Sequence, residues 1–400
     1  MSANPSTQQQ ADDVSVGPGA VKDIQDQEIW MSDGNIIIAA LDEAKNERHL
    51  FKCYRGLLAH RLPVLKEMFD ADPSGAIIAS ASEHHAGIPL VRLYDEPKHV
   101  RRLLQVLYNP SELPYKWWRR ETMNDLVGLM RLSKKYDAED LYKHCTTVFE
   151  NAWPRSLKEW DQRNKDMTRI WKEEEYRGRD NQVWSNQMIR FALPDPGAAV
   201  ALADEHDLHA SCATAFYALN QIYRTPYYIT TDDRGMVNAF PKDHPADISC
   251  LSADLLRRFI NGRELIRQVG FDICYRQLPE VVAGVGPIHT EEDEPNCKDA
   301  VASWWALRFA EATKGGAVYS TDPLGLLDDM SQFLDEAVPI NQDICERCRV
   351  HIRNCLQESR EFLWGTCAIH FEVGNAAHID EHVKELLTDL REHLHGRNML

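Results

Sequence analysis

The chain has 400 residues, 44% of them hydrophobic, enough to bury one large core or two to three smaller ones. Its formal net charge of -17 argues against a general nucleic-acid or anionic-membrane surface, either of which gains from clustered Lys and Arg. No apolar run approaches the roughly 20 residues of a membrane span, and the polar start lacks an apolar signal-peptide core, so a nuclear or cytoplasmic location is expected.

Residues 1–24 read as a disordered polar tail. A short apolar strand is predicted at Ile36, Ile37 and Ile38, and a second over Leu50 to Tyr54. Short helical pieces follow at Gly56 to His60 and Pro63 to Phe69, and a third strand at Pro89 to Leu93. Short strands separated by short helices suit a small α+β domain with helices packed on a sheet. Val100, Leu103, Leu104 and Leu107 recur at helical spacing until Asn109-Pro110 stops the helix. Trp117 and Trp118 then sit in a loop, either as an exposed aromatic contact or, more commonly for such residues, folded back onto the core.

From Glu121 the chain turns helical and repeats itself. LMRLSKKYD (Leu129 to Asp137) and AVALADEHD (Ala199 to Asp207) align without gaps at an offset of 70 residues. In each, an amphipathic helix ends before an Asp whose oxygen can cap the amides of the next helix. The charged stretch WKEEEYRGRDNQ between them is either a solvated helix or a linker. After breakers near Leu193 and Thr231, a helix is predicted over Ser252 to Gln268. It starts at a Ser cap and presents Leu255, Leu256, Phe259, Leu265 and Ile266. Residues 281–297 read as a loop, followed by helices around Asp299 to Glu311 and Asn341 to Trp364. Val383, Leu386, Leu387 and Leu390 mark a last amphipathic helix.

The stretch from Asp33 to Tyr94 resembles a BTB/POZ domain. FKCYRGLLAHRLPVLKEMF follows the family pattern of an apolar strand ending in a His-Arg pair, a leucine-rich turn and a helix closing on Met-Phe. Tyr54 replaces the family's histidine here, while Arg55 stays. The signature residues are Asp33, Phe51, Tyr54, Arg55, Leu58, Met68 and Phe69; for Asp33 and Arg55 the competing reading is ordinary surface residues at strand ends. HDLHASCATAFYAL, LLRRFINGREL and the distal ICERC with SREFLW resemble the fungal multi-helix BTB proteins.

The resemblance implies a BTB/POZ domain over residues 25–115, a helical extension with two helix-turn-helix repeats over 116–235, and a helical C-terminal region over 236–400. It implies a non-enzymatic adaptor or scaffold that homodimerises or hetero-oligomerises. Family partners include cullin-type ubiquitin ligases and transcriptional corepressors. Direct binding of DNA is disfavoured by the acidity and by the lack of zinc-finger or basic-helix signals.

Ten cysteines in a chain this long are not a disulfide framework, and Cys53, Cys145 and Cys212 lie in apolar-periodic stretches as small core residues. Cys345-x-x-Cys348 is the best metal candidate, because two thiolates three residues apart can chelate one zinc from a helix start. His351 and Cys355 cannot complete the set: in one helix Cys345 and Cys355 are about 15 Å apart. Further ligands would come from Cys297 and either His289 or Cys274. In the similar fungal proteins a cysteine shortly before a tryptophan pairs with the distal CxxC, and Cys297 precedes Trp304 by seven residues. The competing reading is a set of buried reduced cysteines joining two helices.

His378-Ile-Asp-Glu-His382 matches the inverted zinc-peptidase motif and defines the alternative function, a zinc-dependent hydrolase with Glu381 as base. That motif needs a further carboxylate from well downstream, and only 18 residues remain. His206-x-x-His209 reads as surface polarity. No P-loop, dinucleotide fingerprint or nucleophile elbow appears in the sequence.

Overall fold

A computed structural model of the chain describes residues 21–71, 84–177, 194–222, 229–231, 237–239, 246–273, 297–314, 322–335 and 344–374. The fold is mixed α+β. It divides into two compact units, Met1–Tyr115 with Asn124–Thr147, and Lys116–Met123 with Val148–Leu400.

In the first unit, five consecutive residues from Ile36 to Ala40 are buried, which requires cover on both faces of a strand. Strand β2 (Ile36–Asp42) accordingly lies at the centre of a five-stranded sheet. It pairs antiparallel with β3 (Glu47–Cys53), with Ile38 opposite Phe51, and parallel with β5 (Ile88–Leu93). The short β4 (His84–His85) closes one edge against β5. At the other edge, β1 (Lys22–Trp30) runs parallel to β3.

Strand β1 begins at Lys22, inside the stretch read from sequence as a disordered tail. Its polar composition, KDIQDQEIW, hides a strand whose register breaks between Gln25 and Trp30. At that break the buried Asp26 accepts the backbone N–H groups of Glu28 (2.9 Å) and Ile29 (2.8 Å) and pairs with Arg101 at 2.9 Å.

Helices α1 (Arg55–Arg61) and α2 (Pro63–Ala71) follow β3, the second starting on a proline whose missing N–H costs nothing there. Helix α3 (Pro97–Tyr108) also starts on proline and packs on β1 and β2. Ile37, Ala39, Leu50 and Leu90 form a core cluster, with Trp30 and Ile88 packed against it.

The helices of the first repeat, α4 (Arg120–Lys135) and α5 (Glu139–Ala152), lie mostly in this unit. The second repeat, α7 (Pro196–Glu205) and α8 (His209–Ile222), belongs to the other. The single helical extension expected over 116–235 is therefore divided. Tertiary contacts explain the division: Tyr136 donates to Asp95 at 2.6 Å, Lys135 reaches the same carboxylate at 2.7 Å, and Gly128 sits directly against the His99 ring.

The repeated aspartates do a different job from the N-capping expected of them. Asp137 and Asp207 have φ of 57° and 58°, the left-handed conformation that ends a helix. Each is followed by a backbone N–H reaching back five residues, Ala138 to the Ser133 oxygen at 2.8 Å and Leu208 to the Ala203 oxygen at 2.9 Å. The last described helix ends the same way, with Glu372 at φ 51° and Val373 donating to Ala368 at 2.8 Å. The acidic residue thus closes one helix, and a short polar side chain tolerates the left-handed backbone better than a branched one.

The second unit also contains α6 (Leu157–Arg177), the hairpin β6 (Ile229–Thr231) and β7 (Val237–Ala239), α9 (Ala253–Asp272), α10 (Cys297–Lys314), α11 (Pro323–Phe333) and α12 (Glu346–His370). Helix α12 packs against α8, α9 and α11. The Ser252 hydroxyl caps α9 by accepting the Leu255 N–H at 3.2 Å, as its sequence indicates. Helix α11 carries a plain cap, Asp322 accepting the Gly325 N–H, but its eleven residues went unread. The Tyr217 hydroxyl donates to Asp322 at 2.8 Å and accepts the Leu324 N–H at 3.1 Å, fixing α11 to α8. Arg360 of α12, almost fully buried, grips Asp161 of α6 at 2.6 and 3.1 Å. Phe216 stacks on Phe371 with centroids 4.8 Å apart.

Trp117 and Trp118 are half-buried and meet edge to face at 5.7 Å, and the Arg163 guanidinium lies 6.0 Å from the Trp117 ring. His206, expected on the surface, is buried beside the left-handed turn, where Tyr136 stands in the first repeat. Among the described residues, no helix is long and apolar enough to cross a membrane.

Candidate metal centre

Two helix starts meet in the second unit. Cys297 is the first residue of α10, and Cys345 is the N-cap of α12, held extended at φ -65° and ψ 159°. Cys348 falls in the first turn of α12. The three Sγ atoms all lie within 4.8 Å of one another. Cys297 and Cys348 are buried, whereas Cys345 is partly exposed. The Cys345 backbone N–H donates to the Cys297 sulfur at 3.3 Å, which locks the two helix starts together.

The arrangement fits a thiolate-bound metal. Sulfurs about 2.3 Å from a tetrahedral zinc stand about 3.8 Å apart, so closure requires a shift of about 1 Å at most. Protonation is shared unevenly. Burial by itself raises the Cys345 thiol, yet the Cys348 backbone N–H and the neighbouring Cys348 and Cys297 sulfurs together hold it below the ordinary value. Cys348 is pushed up, first by burial and then by Cys345 and Cys297. A sulfur whose thiolate form is eased by its neighbours is the kind of ligand that a soft cation takes.

Of the expected ligands, the structure brings Cys345, Cys348 and Cys297 together; Cys274 and His289 lie outside the described residues. His351 and Cys355 stand apart from the cluster and face each other, with Nε2 3.6 Å from the sulfur. The spacing argument that excluded them therefore holds. His378, Glu381 and His382 of the alternative motif lie outside the described residues. Cys53, Cys145 and Cys212 are buried, and burial pushes each thiol up to about 12.

The signature residues of the first unit form a network around the end of β3. The Tyr54 hydroxyl donates to Asp33 at 2.5 Å, which lowers that carboxyl and raises the phenol. Arg55 donates to the Phe69 carbonyl at 2.7 Å and lies 5.0 Å from that ring's centroid. Phe51, Leu58 and Phe69 are buried, while Met68 is 39% exposed. Two partners were missed: Asn35 accepts the Arg55 N–H at 2.8 Å, and the Tyr108 hydroxyl accepts the Tyr54 N–H at 2.8 Å. They lie 20 and 54 residues away along the chain, beyond any local signal. Compared with known protein families, curated proteins and solved structures, the chain matches none.

Proposed function

We propose that this protein is a non-enzymatic interaction adaptor, built on a BTB/POZ-like N-terminal unit and a helical C-terminal unit held together by a structural zinc. The observation that carries the adaptor reading is the build of the first unit. Between Asp33 and Leu93 the described residues run strand, strand, helix, helix and a returning pair of strands, β4 and β5, close to the order behind the BTB/POZ resemblance. Phe51, Leu58 and Phe69 lie in its core, and Arg55 ties the first helix to the end of the second. The zinc reading is supported by the three convergent sulfurs of Cys297, Cys345 and Cys348. In such a centre the metal supplies no chemistry. It fixes the start of α12, the helix on which α8, α9 and α11 pack.

The test is native mass spectrometry of the purified full chain. The reading expects a species of twice the 45.9 kDa chain mass carrying about one zinc per chain, with the metal lost in Cys345→Ser/Cys348→Ser. A metal-free protein overturns the zinc centre. A monomer that captures neither itself nor a protein partner through its first unit overturns the adaptor.

A further inference from the structure

We propose that Cys345 is a peroxide-reactive thiol which Cys348 resolves to a disulfide, making the sulfur cluster an oxidation site. The inference uses the same cluster as the zinc reading but rests on the positions of the sulfurs, not on a bound metal.

Three observations place the chemistry. Cys345 is the member of the cluster that solvent reaches, while Cys297 and Cys348 are buried. All three sulfurs lie within 4.8 Å, so a second sulfur waits beside the first without rearrangement of the helices. Cys345 at the N-cap and Cys348 one turn on have α-carbons about 5–6 Å apart, inside the range a disulfide spans. Cys297 is the less suited resolving partner, since its sulfur is engaged by the Cys345 backbone N–H and a bridge to it must draw two helices together.

The steps balance as follows. The Cys345 thiolate attacks one oxygen of hydrogen peroxide; an S–O bond forms, the O–O bond breaks, and the departing hydroxide takes up the proton as water. Cys345 is then a sulfenic acid. The Cys348 sulfur attacks Cys345; the S–S bond forms, the S–O bond breaks, and the hydroxide leaves with the Cys348 proton as a second water. Two electrons pass from the thiol pair to peroxide. Two of the three sulfurs no longer serve as thiolate ligands, so any zinc held there is released.

The test uses the reduced full chain, as purified and after EDTA treatment, exposed to equimolar hydrogen peroxide, alkylated and digested with trypsin without reduction. Trypsin cuts after Arg347, between the two cysteines, so a Cys345–Cys348 bridge joins the peptides ending at Arg347 and Arg349. The expected result is that linked pair, an intact-mass loss of about 2 Da and the loss of two titratable thiols in both samples. Cys250→Ser, which removes the exposed cysteine found elsewhere among the described residues, leaves the result unchanged. In Cys348→Ser, the Cys345 sulfenic acid persists and is trapped by dimedone. A bridge to Cys297, oxygen addition without a bridge, the same thiol loss in Cys345→Ser, or no thiol loss overturns the proposal. Absence of zinc in the purified protein fails the metal reading alone, because the EDTA-treated arm tests the thiol pair by itself.

Discussion

Replacing Gly262 with alanine tests the packing around α12 most sharply, because helix propensity and tertiary structure predict opposite signs. Gly262 lies in the interior of α9, where alanine is favoured over glycine by about 1 kcal/mol. The added Cβ, however, would press into the Phe371 ring, 2.6 Å from Cε1, and stand 2.8 Å from the His370 carbonyl oxygen. Neither neighbour yields cheaply. The carbonyl belongs to the end of α12, and the Phe371 ring is fully buried and stacked on Phe216. Relief requires α9 and the end of α12 to separate by about 1 Å, within the range of core overpacking that costs about 1–3 kcal/mol and sometimes more. Gly262→Ala therefore lowers stability by about 1 kcal/mol net, or about 2–4 °C in unfolding midpoint for a unit of this size. Thermal unfolding followed by tryptophan fluorescence reads the right unit, since every tryptophan except Trp30 lies at or beyond Trp117. Gly56→Ala, in the first unit and therefore followed by far-ultraviolet circular dichroism, is the contrast: its added Cβ meets no atom beyond its own helix turn within 4 Å, and it gains up to about 1 kcal/mol. A raised midpoint in Gly262→Ala refutes the close approach of α9 to the end of α12.

Arg360→Leu strands the Asp161 carboxylate and lowers stability by about 2–4 kcal/mol, while Arg360→Leu/Asp161→Leu recovers most of it in urea unfolding; equal losses in both refute the pairing. Burial pushes His370 down to about 4 from 6.5, so its neutral form stabilises the fold fully above pH 6.5 and progressively less down to pH 4. Stability falls by about 2 kcal/mol more between pH 7.5 and 5 in the wild type than in His370→Leu, measured by urea titration at each pH. Asp207→Gly holds or raises stability by up to about 1 kcal/mol and Asp207→Ala lowers it, because φ is positive there; a loss in both restores the N-capping reading. Tyr217→Phe leaves the Leu324 N–H without its acceptor and costs about 1–3 kcal/mol by thermal unfolding.

Much of the local structure is legible in the chain. Ile36 to Ile38, the Leu50 to Tyr54 strand, Pro63, Pro97 and the Ser252 cap carry their signals within a few residues, where sterics and hydrogen bonding decide the conformation. The CxxC spacing likewise marks Cys345 and Cys348, and a helix's rise alone removes Cys355 from their site. The capping expectation at Asp137 and Asp207 failed for a specific reason. An Asp between two helices can serve the end of one or the start of the next, and only φ tells which.

The rest was decided by contacts between residues far apart in sequence. Strand β1 is mostly polar, with Ile24, Ile29 and Trp30 its apolar residues, and it finds its place as a strand because β3 offers it a parallel edge. The first repeat goes with the sheet because Asp95 and His99 meet Tyr136 and Gly128, and the second goes elsewhere although its sequence reads alike. Cys297 comes within reach of Cys345, 48 positions further along the chain, because two helix starts converge and a backbone N–H fixes them. Sequence by itself therefore determined the central strands, most of the helices and the cysteine pair, whose causes are local. Tertiary structure decided the strand order, the division into units and the third sulfur, because each depends on surfaces that exist only once the chain has folded.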